Sequence, residues 1–189
     1  MYLEHTKLEV RYEIDGFERT TLTRLLDSFK TIQLEASQKR QDFLDIKSSN
    51  FDPDRDDEAC ILEDAYFEEI IHISIEETLK QEFINSTATW LFHLFERQKI
   101  RVLGTEKSDK LKPILLQQNY ELSLCPDWLI LNKELRLAAN SIKHGNTSNA
   151  MSDLTKKYPA LVVNNNVVIT RSDIERYLTS LRQFWSNVF

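Results

Sequence analysis

Arg136, Asn140 and His144 follow one another at intervals of four residues, in Asn132-Lys133-Glu134-Leu135-Arg136-Leu137-Ala138-Ala139-Asn140-Ser141-Ile142-Lys143-His144-Gly145. At about 100° per helical residue each step drifts by only about 40°, so the three line one stripe, with Lys143 beside it. Trp128, Leu131, Leu135, Ala139 and Ile142 form the adjoining apolar stripe, which sets the polar groups on a shoulder next to the core. An imidazole, an amide and two cations on one helix face suit phosphodiester chemistry. The histidine can move a proton, while Arg and Lys neutralise charge on phosphate oxygens. The ordinary alternative is a solvated or structural polar shoulder, so the candidate set is His144, Arg136 and Asn140, with Lys143 as a substrate contact.

Other chemistries fare worse. The chain of 189 residues holds three glycines (Gly16, Gly104, Gly145), which excludes every glycine-rich phosphate loop and the nucleophile elbow. Cys60 and Cys125 lie too far apart for metal-ligand spacing, and His5, His72, His93 and His144 form no H-x-x-x-H pair. Asp52, Asp54, Asp56, Glu58 and Glu63 match the calcium-loop ligand order by residue type, but position six, where the sharp turn needs glycine, is Asp57. These carboxylates are expected to favour the start of the following helix instead. No metal and no cofactor is expected. His93, inside Trp90-Leu91-Phe92-His93-Leu94-Phe95, reads as a hydrogen-bonded packing residue.

Leu135–Gly145 resembles the signature helix of HEPN-like proteins (higher eukaryotes and prokaryotes nucleotide-binding), α-helical bundles found in bacterial toxin–antitoxin and other defence systems. Asn140-x-x-x-His144 is similar to the polar-residue-to-His half of that signature. Ala139 stands where the family usually has Arg, and the nearest upstream Arg is Arg136. The likeness implies a metal-independent RNase acting as a homodimer, with His144 as acid or base on a ribose 2′-OH and Arg136 stabilising the phosphorane. Asn140 would orient the phosphate or the imidazole. The alternative is a non-catalytic antitoxin, immunity or regulatory subunit using the same stripe for a dimer or a protein partner. RNA, an antitoxin-like protein and a second copy are thus the partners implied.

The elements that must carry this stripe read as a mostly α single domain, 1–189, with a small antiparallel β element. Apolar residues make up 41%, enough for a core, and charged residues 29%. Leu8, Val10, Tyr12 and Ile14 alternate with Glu9, Arg11, Glu13 and Asp15, which predicts a short strand. Leu22, Leu25, Phe29, Ile32, Ala36, Phe43 and Ile46 predict one long amphipathic helix whose first five members face the core. A second helix is expected from about Ala59 to Arg101, with an interruption near His72-Ile73-Ser74, and a short one over Leu111–Gln118. Pro126-Asp127 opens the stripe-bearing helix and Gly145 closes it; Ser148 caps the next. Leu161–Ile169 reads as a tight hairpin, with Leu8–Ile14 as a candidate third strand, and Ser172-Asp173-Ile174-Glu175 as a capping box.

The net charge of −6 is uneven. Residues 125–189 carry eight Lys/Arg against five Asp/Glu, leaving −9 on residues 1–124. An acidic whole argues against non-specific wrapping of nucleic acid, while a locally basic C-terminal third can still face phosphate. No apolar run reaches membrane-spanning length and no leader pattern is seen, so a cytoplasmic location is expected. If the acidic loop holds no ion, calcium or zinc should leave the melting temperature unchanged, because a ligand confined to the folded state would raise it. A calcium-dependent rise lost in Glu63→Gln would overturn that expectation.

Overall fold

The computed structural model describes residues 2–117 and 120–189. The chain is mostly α-helical with one two-stranded antiparallel ribbon, and packs as two compact units. Residues 1–23 and 83–189 make the first, residues 24–82 the second. Among the described residues no helix is long and apolar enough to cross a membrane.

The first unit begins with α1 (Tyr2–Glu18), where the alternating pattern predicted a strand. Val10 and Ile14, four apart, are both buried, whereas Leu8 and Tyr12 are exposed. The apparent period of two is therefore the i, i+4 half of a helical pattern. Glu13 accepts from Arg101 at 2.7 and 2.9 Å and from Gln98 at 3.1 Å, while Arg182 donates to Asp15 at 2.9 Å and to Glu18. These charged positions anchor the helix, so Leu8–Ile14 cannot serve as a third strand.

The long helix expected from Leu22 to Ile46 is broken. Arg19–Leu25 is π-helical and Leu26–Thr31 is 3-10, before α2 (Ile32–Ser49). Each change of pitch shifts the phase. Leu22, Ile32 and Ala36 are buried as expected, but Leu26 takes the core position assigned to Leu25, which is exposed, and Phe29 is half-buried. In the second unit Arg40 meets Glu69 at 3.3 Å and Ala36 and Ala65 are fully buried. The acidic loop turns its carboxylates onto its own backbone: the Asp54 N–H donates to Asp52 at 3.1 Å, the Asp52 N–H to Asp56 at 2.9 Å, and the Ala59 N–H to Asp57 at 2.9 Å.

From there α3 (Glu58–Leu103) runs without the interruption expected near 72–74. Isoleucine costs a helix only a few tenths of a kcal/mol per residue, too little to break a ladder of continuous hydrogen bonds. Next comes α4 (Ser108–Leu116), three residues earlier than predicted; the predicted last residue, Gln118, lies outside the described residues. Its early start leaves Pro113 in the second turn. Then follow α5 (Pro126–Leu129), a π-helical stretch Ile130–Leu135, α6 (Arg136–His144) and α7 (Asn149–Lys157). Ser148 caps α7 as predicted, accepting from the Met151 N–H at 3.1 Å.

The ribbon pairs β1 (Val162–Val163) with β2 (Asn166–Val167), Val162 opposite Val167. Asn164 and Asn165 hold φ of 49° and 60°, the left-handed pair that a two-residue hairpin turn demands. In place of a third strand, the Asn85 side chain donates to the Val167 carbonyl at 2.9 Å and accepts from the Ile169 N–H at 3.2 Å. The capping box of α8 (Arg171–Val188) is Thr170 with Asp173, not Ser172 with Glu175. Thr170 has the extended backbone a cap requires, and Ser172 is already helical.

From α8, Tyr177, Leu181, Phe184 and Trp185 point inward. Phe184 sits among Phe95 (5.4 Å between ring centroids), Trp128 (5.8 Å) and Trp185 (5.0 Å). Phe184→Ala should therefore cost about 3–5 kcal/mol in denaturant unfolding. The exposed Leu34→Ala should change stability by no more than about 0.5 kcal/mol.

Candidate functional site

Cys125, Pro126 and Asp127 start the segment that carries the stripe. The Cys125 sulfur accepts from the Trp128 N–H at 3.4 Å and meets the Tyr120 hydroxyl at 2.6 Å, while Pro126 occupies the first helical position. One residue per turn is then added by the π-helical stretch, which buries Leu131, Glu134 and Leu135 together. Gly145, with φ of 80°, ends α6 as its pattern predicted, and its N–H donates to the Ser141 carbonyl at 2.9 Å.

Within α6 the two faces separate cleanly. Leu137, Ala138, Ala139 and Ser141 are buried, and α7 packs against this helix. Arg136, Lys143 and His144 are exposed and Asn140 is half-buried. The Arg136 Nε donates to the Asn132 carbonyl at 2.9 Å, which holds the guanidinium against its own helix and leaves its two terminal nitrogens outward. Asn132 is itself fixed by the Ser108 hydroxyl, at 3.2 Å. No hydrogen bond or ion pair joins Arg136, Asn140, Lys143 and His144 to each other, and none of the four has an acidic partner among the described residues. Ala139, at 2% exposure, faces the core.

His93 differs from expectation: it is exposed, with Nδ1 3.1 Å from a Glu96 carboxylate oxygen, and packs no core. No group of three or more His, Cys, Asp or Glu among the described residues could hold a metal ion.

Two buried polar arrangements escape sequence reading. Lys99 is only 2% exposed, with its ammonium 4.6 Å from the Phe95 ring centroid, 5.7 Å from Trp128 and 6.0 Å from Phe92. Its hydrogen-bond acceptor is the Glu106 carbonyl, at 3.4 Å. Burial pulls its pKa below the usual lysine range; Glu96 and Glu106 oppose this and the neighbouring Arg136 charge adds to it. Lys99 thus lies electrostatically beneath the stripe. In the second arrangement Glu134 receives Arg176 at 2.5 Å and the Tyr177 hydroxyl at 2.8 Å. Burial and the Glu134 charge together raise the Tyr177 pKa, and the hydrogen bond to Glu134 raises that of Arg176. Both depend on residues some 30 to 40 positions apart, which no local motif encodes.

No family model matches this chain, and no curated protein or solved structure matches it.

Because burial disfavours the Lys99 ammonium, the folded protein binds fewer protons than the unfolded chain just below the ordinary lysine pKa, near 10.4. Stability from this group should rise with pH across that window. Relative to Lys99→Met, the wild type should gain stability as pH is raised from 7 towards 10, in paired urea titrations. A stability difference that does not change with pH would contradict the buried-charge assignment.

Proposed function

We propose that this chain is a HEPN-like helical protein of a bacterial defence or toxin–antitoxin type system, and that α6 binds RNA through its phosphates. The observation that carries this reading is the concentration of Arg136, Asn140, Lys143 and His144 on one helix face, without acidic partners among the described residues, in a protein of net charge −6. The buried side of α6 holds these groups in fixed positions. Arg136 and Lys143 neutralise phosphate oxygens, the Asn140 amide donates to them, and His144 reaches a third phosphate or a ribose. Self-pairing of two such stripes would set like charges against each other, so an anionic partner suits the face better than a second copy.

A second reading, a metal-independent RNase, is favoured by one observation: the imidazole of His144 is exposed and has no partner among the described residues, which leaves both ring nitrogens open to a substrate. Against it stands Ala139, small and buried where the family's catalytic Arg belongs.

Fluorescence anisotropy with a labelled single-stranded RNA tests the proposal. With two to three phosphates neutralised, log K should fall against log salt with a slope of about −1.5 to −2. Arg136→Glu with Lys143→Glu should abolish binding while leaving the fold intact. RNA should remain uncut in EDTA. Cleavage with 2′,3′-cyclic phosphate ends, lost in His144→Ala, would establish the second reading, and unchanged binding by the double variant would end the first.

A further inference from the structure

The second unit has little apolar interior of its own. Between Arg24 and Glu82 the buried apolar side chains are Leu26, Ile32, Ala36 and Ala65. Over the same stretch α3 leaves Phe67 (62%), Ile70 (43%), Ile71 (39%), Ile75 (53%) and Leu79 (47%) exposed. These five follow the i, i+3, i+4 template of an amphipathic helix, with the small Ser74 and Thr78 completing the stripe. A continuous apolar helix face open to water is the mark of an interaction surface.

Charge says what covers it. Residues 24–82 carry seven Lys/Arg against sixteen Asp/Glu, a net of −9. Along α3, Glu63 and Asp64 precede the stripe, Glu82 follows it and Glu68 lies within its length; all four are exposed, and none has an ion-pair partner among the described residues. Elsewhere in the unit Glu69 pairs with Arg40, Asp27 with Lys30 and Glu77 with Lys80. The stripe is therefore bordered at both ends, and at Glu68 along its length, by uncompensated anionic charge. A second copy would bring −9 against −9, whereas a cationic helix would fill the apolar stripe and neutralise the border at once.

We infer that the α3 stripe Phe67–Leu79 is the docking site for a basic amphipathic helix of a partner protein. These residues are not those of the α6 stripe, and the inference stands whether or not α6 binds RNA. The partner helix would lay Leu- or Ile-type side chains at i, i+3, i+4 and i+7 between Ile71 and Ile75, with Lys or Arg at its edges meeting Glu63, Glu68 and Asp64.

The test uses the full chain and two fluorescein-labelled 18-residue peptides with the same leucine positions, one Leu/Lys and one Leu/Glu, in anisotropy titrations at 0.15 M salt. The Leu/Lys peptide should bind at least tenfold more tightly than the Leu/Glu peptide. Ile71→Lys with Ile75→Lys should weaken it by tenfold or more. Ile71→Ser with Ile75→Ser, which removes apolar area without adding charge, should also weaken it, and both variants should melt as the wild type does because the positions are exposed. Equal binding of the two peptides, no binding, or binding that both variants leave unchanged would overturn the inference. So would a concentration-dependent dimer in sedimentation that Ile71→Ser with Ile75→Ser dissociates, since the stripe would then belong to a second copy.

Discussion

The first unit depends on the burial of one ring, Phe184. It is fully buried and touches aromatic side chains from three separate elements: Phe95 on α3, Trp128 on α5 and Trp185 on α8 itself. The contacts with Phe95 and Trp185 are edge-to-face and that with Trp128 is tilted, geometries that fix ring orientation as well as distance. That fixes the azimuth of α8, and with it the Tyr177 hydroxyl that reaches Glu134. It also fixes Trp128, the wall over which the Lys99 ammonium lies. The stripe on α6 is two steps away from the same cluster. Its outward face is set because the residues before it, Leu131 and Leu135, are fully buried.

Buried charge is handled in two contrasting ways within that unit. Glu134 is compensated by Arg176 and by a hydroxyl, so each carboxylate oxygen has a partner. Such a pair is costly to break from one side, because the survivor is left alone in an apolar surrounding. Lys99 has no carboxylate in contact among the described residues; it rests on ring faces and one carbonyl. Cation–π attraction offsets only part of its desolvation. The direction of its pKa records that deficit. Arg136 lies close enough to deepen it, so the cation under the helix and the cation on its surface act on one another.

Charge also separates the two units, each taken by itself. Residues 24–82 hold −9, and the rest of the chain holds +3. The basic excess includes a helix face free of carboxylates, and the acidic excess includes carboxylates bordering exposed apolar side chains. Opposite fields on one polypeptide select opposite partners by steering. The RNA-facing reading of α6 and the cationic-helix reading of α3 follow from that division. They rest on different residues of the chain.

Much of this was legible in the residues alone, wherever structure is set by near neighbours. The helical class, the Asn164-Asn165 turn, the Gly145 stop and the Ser148 cap are all local, decided by backbone preferences within a few positions. The common face of Arg136, Asn140 and His144 is local too, since α6 is regular from end to end. What tertiary packing decided is the rest. Leu8–Ile14 has a pattern that serves strand or helix, and burial of Val10 with Ile14 selected the helix. Leu25 lost its core place to Leu26 because the π and 3-10 turns moved the phase, which no periodicity count foresees. Lys99 and the Glu134–Arg176–Tyr177 group were invisible for a different reason: their partners come from distant positions, and only a folded core brings a lysine under three aromatic rings.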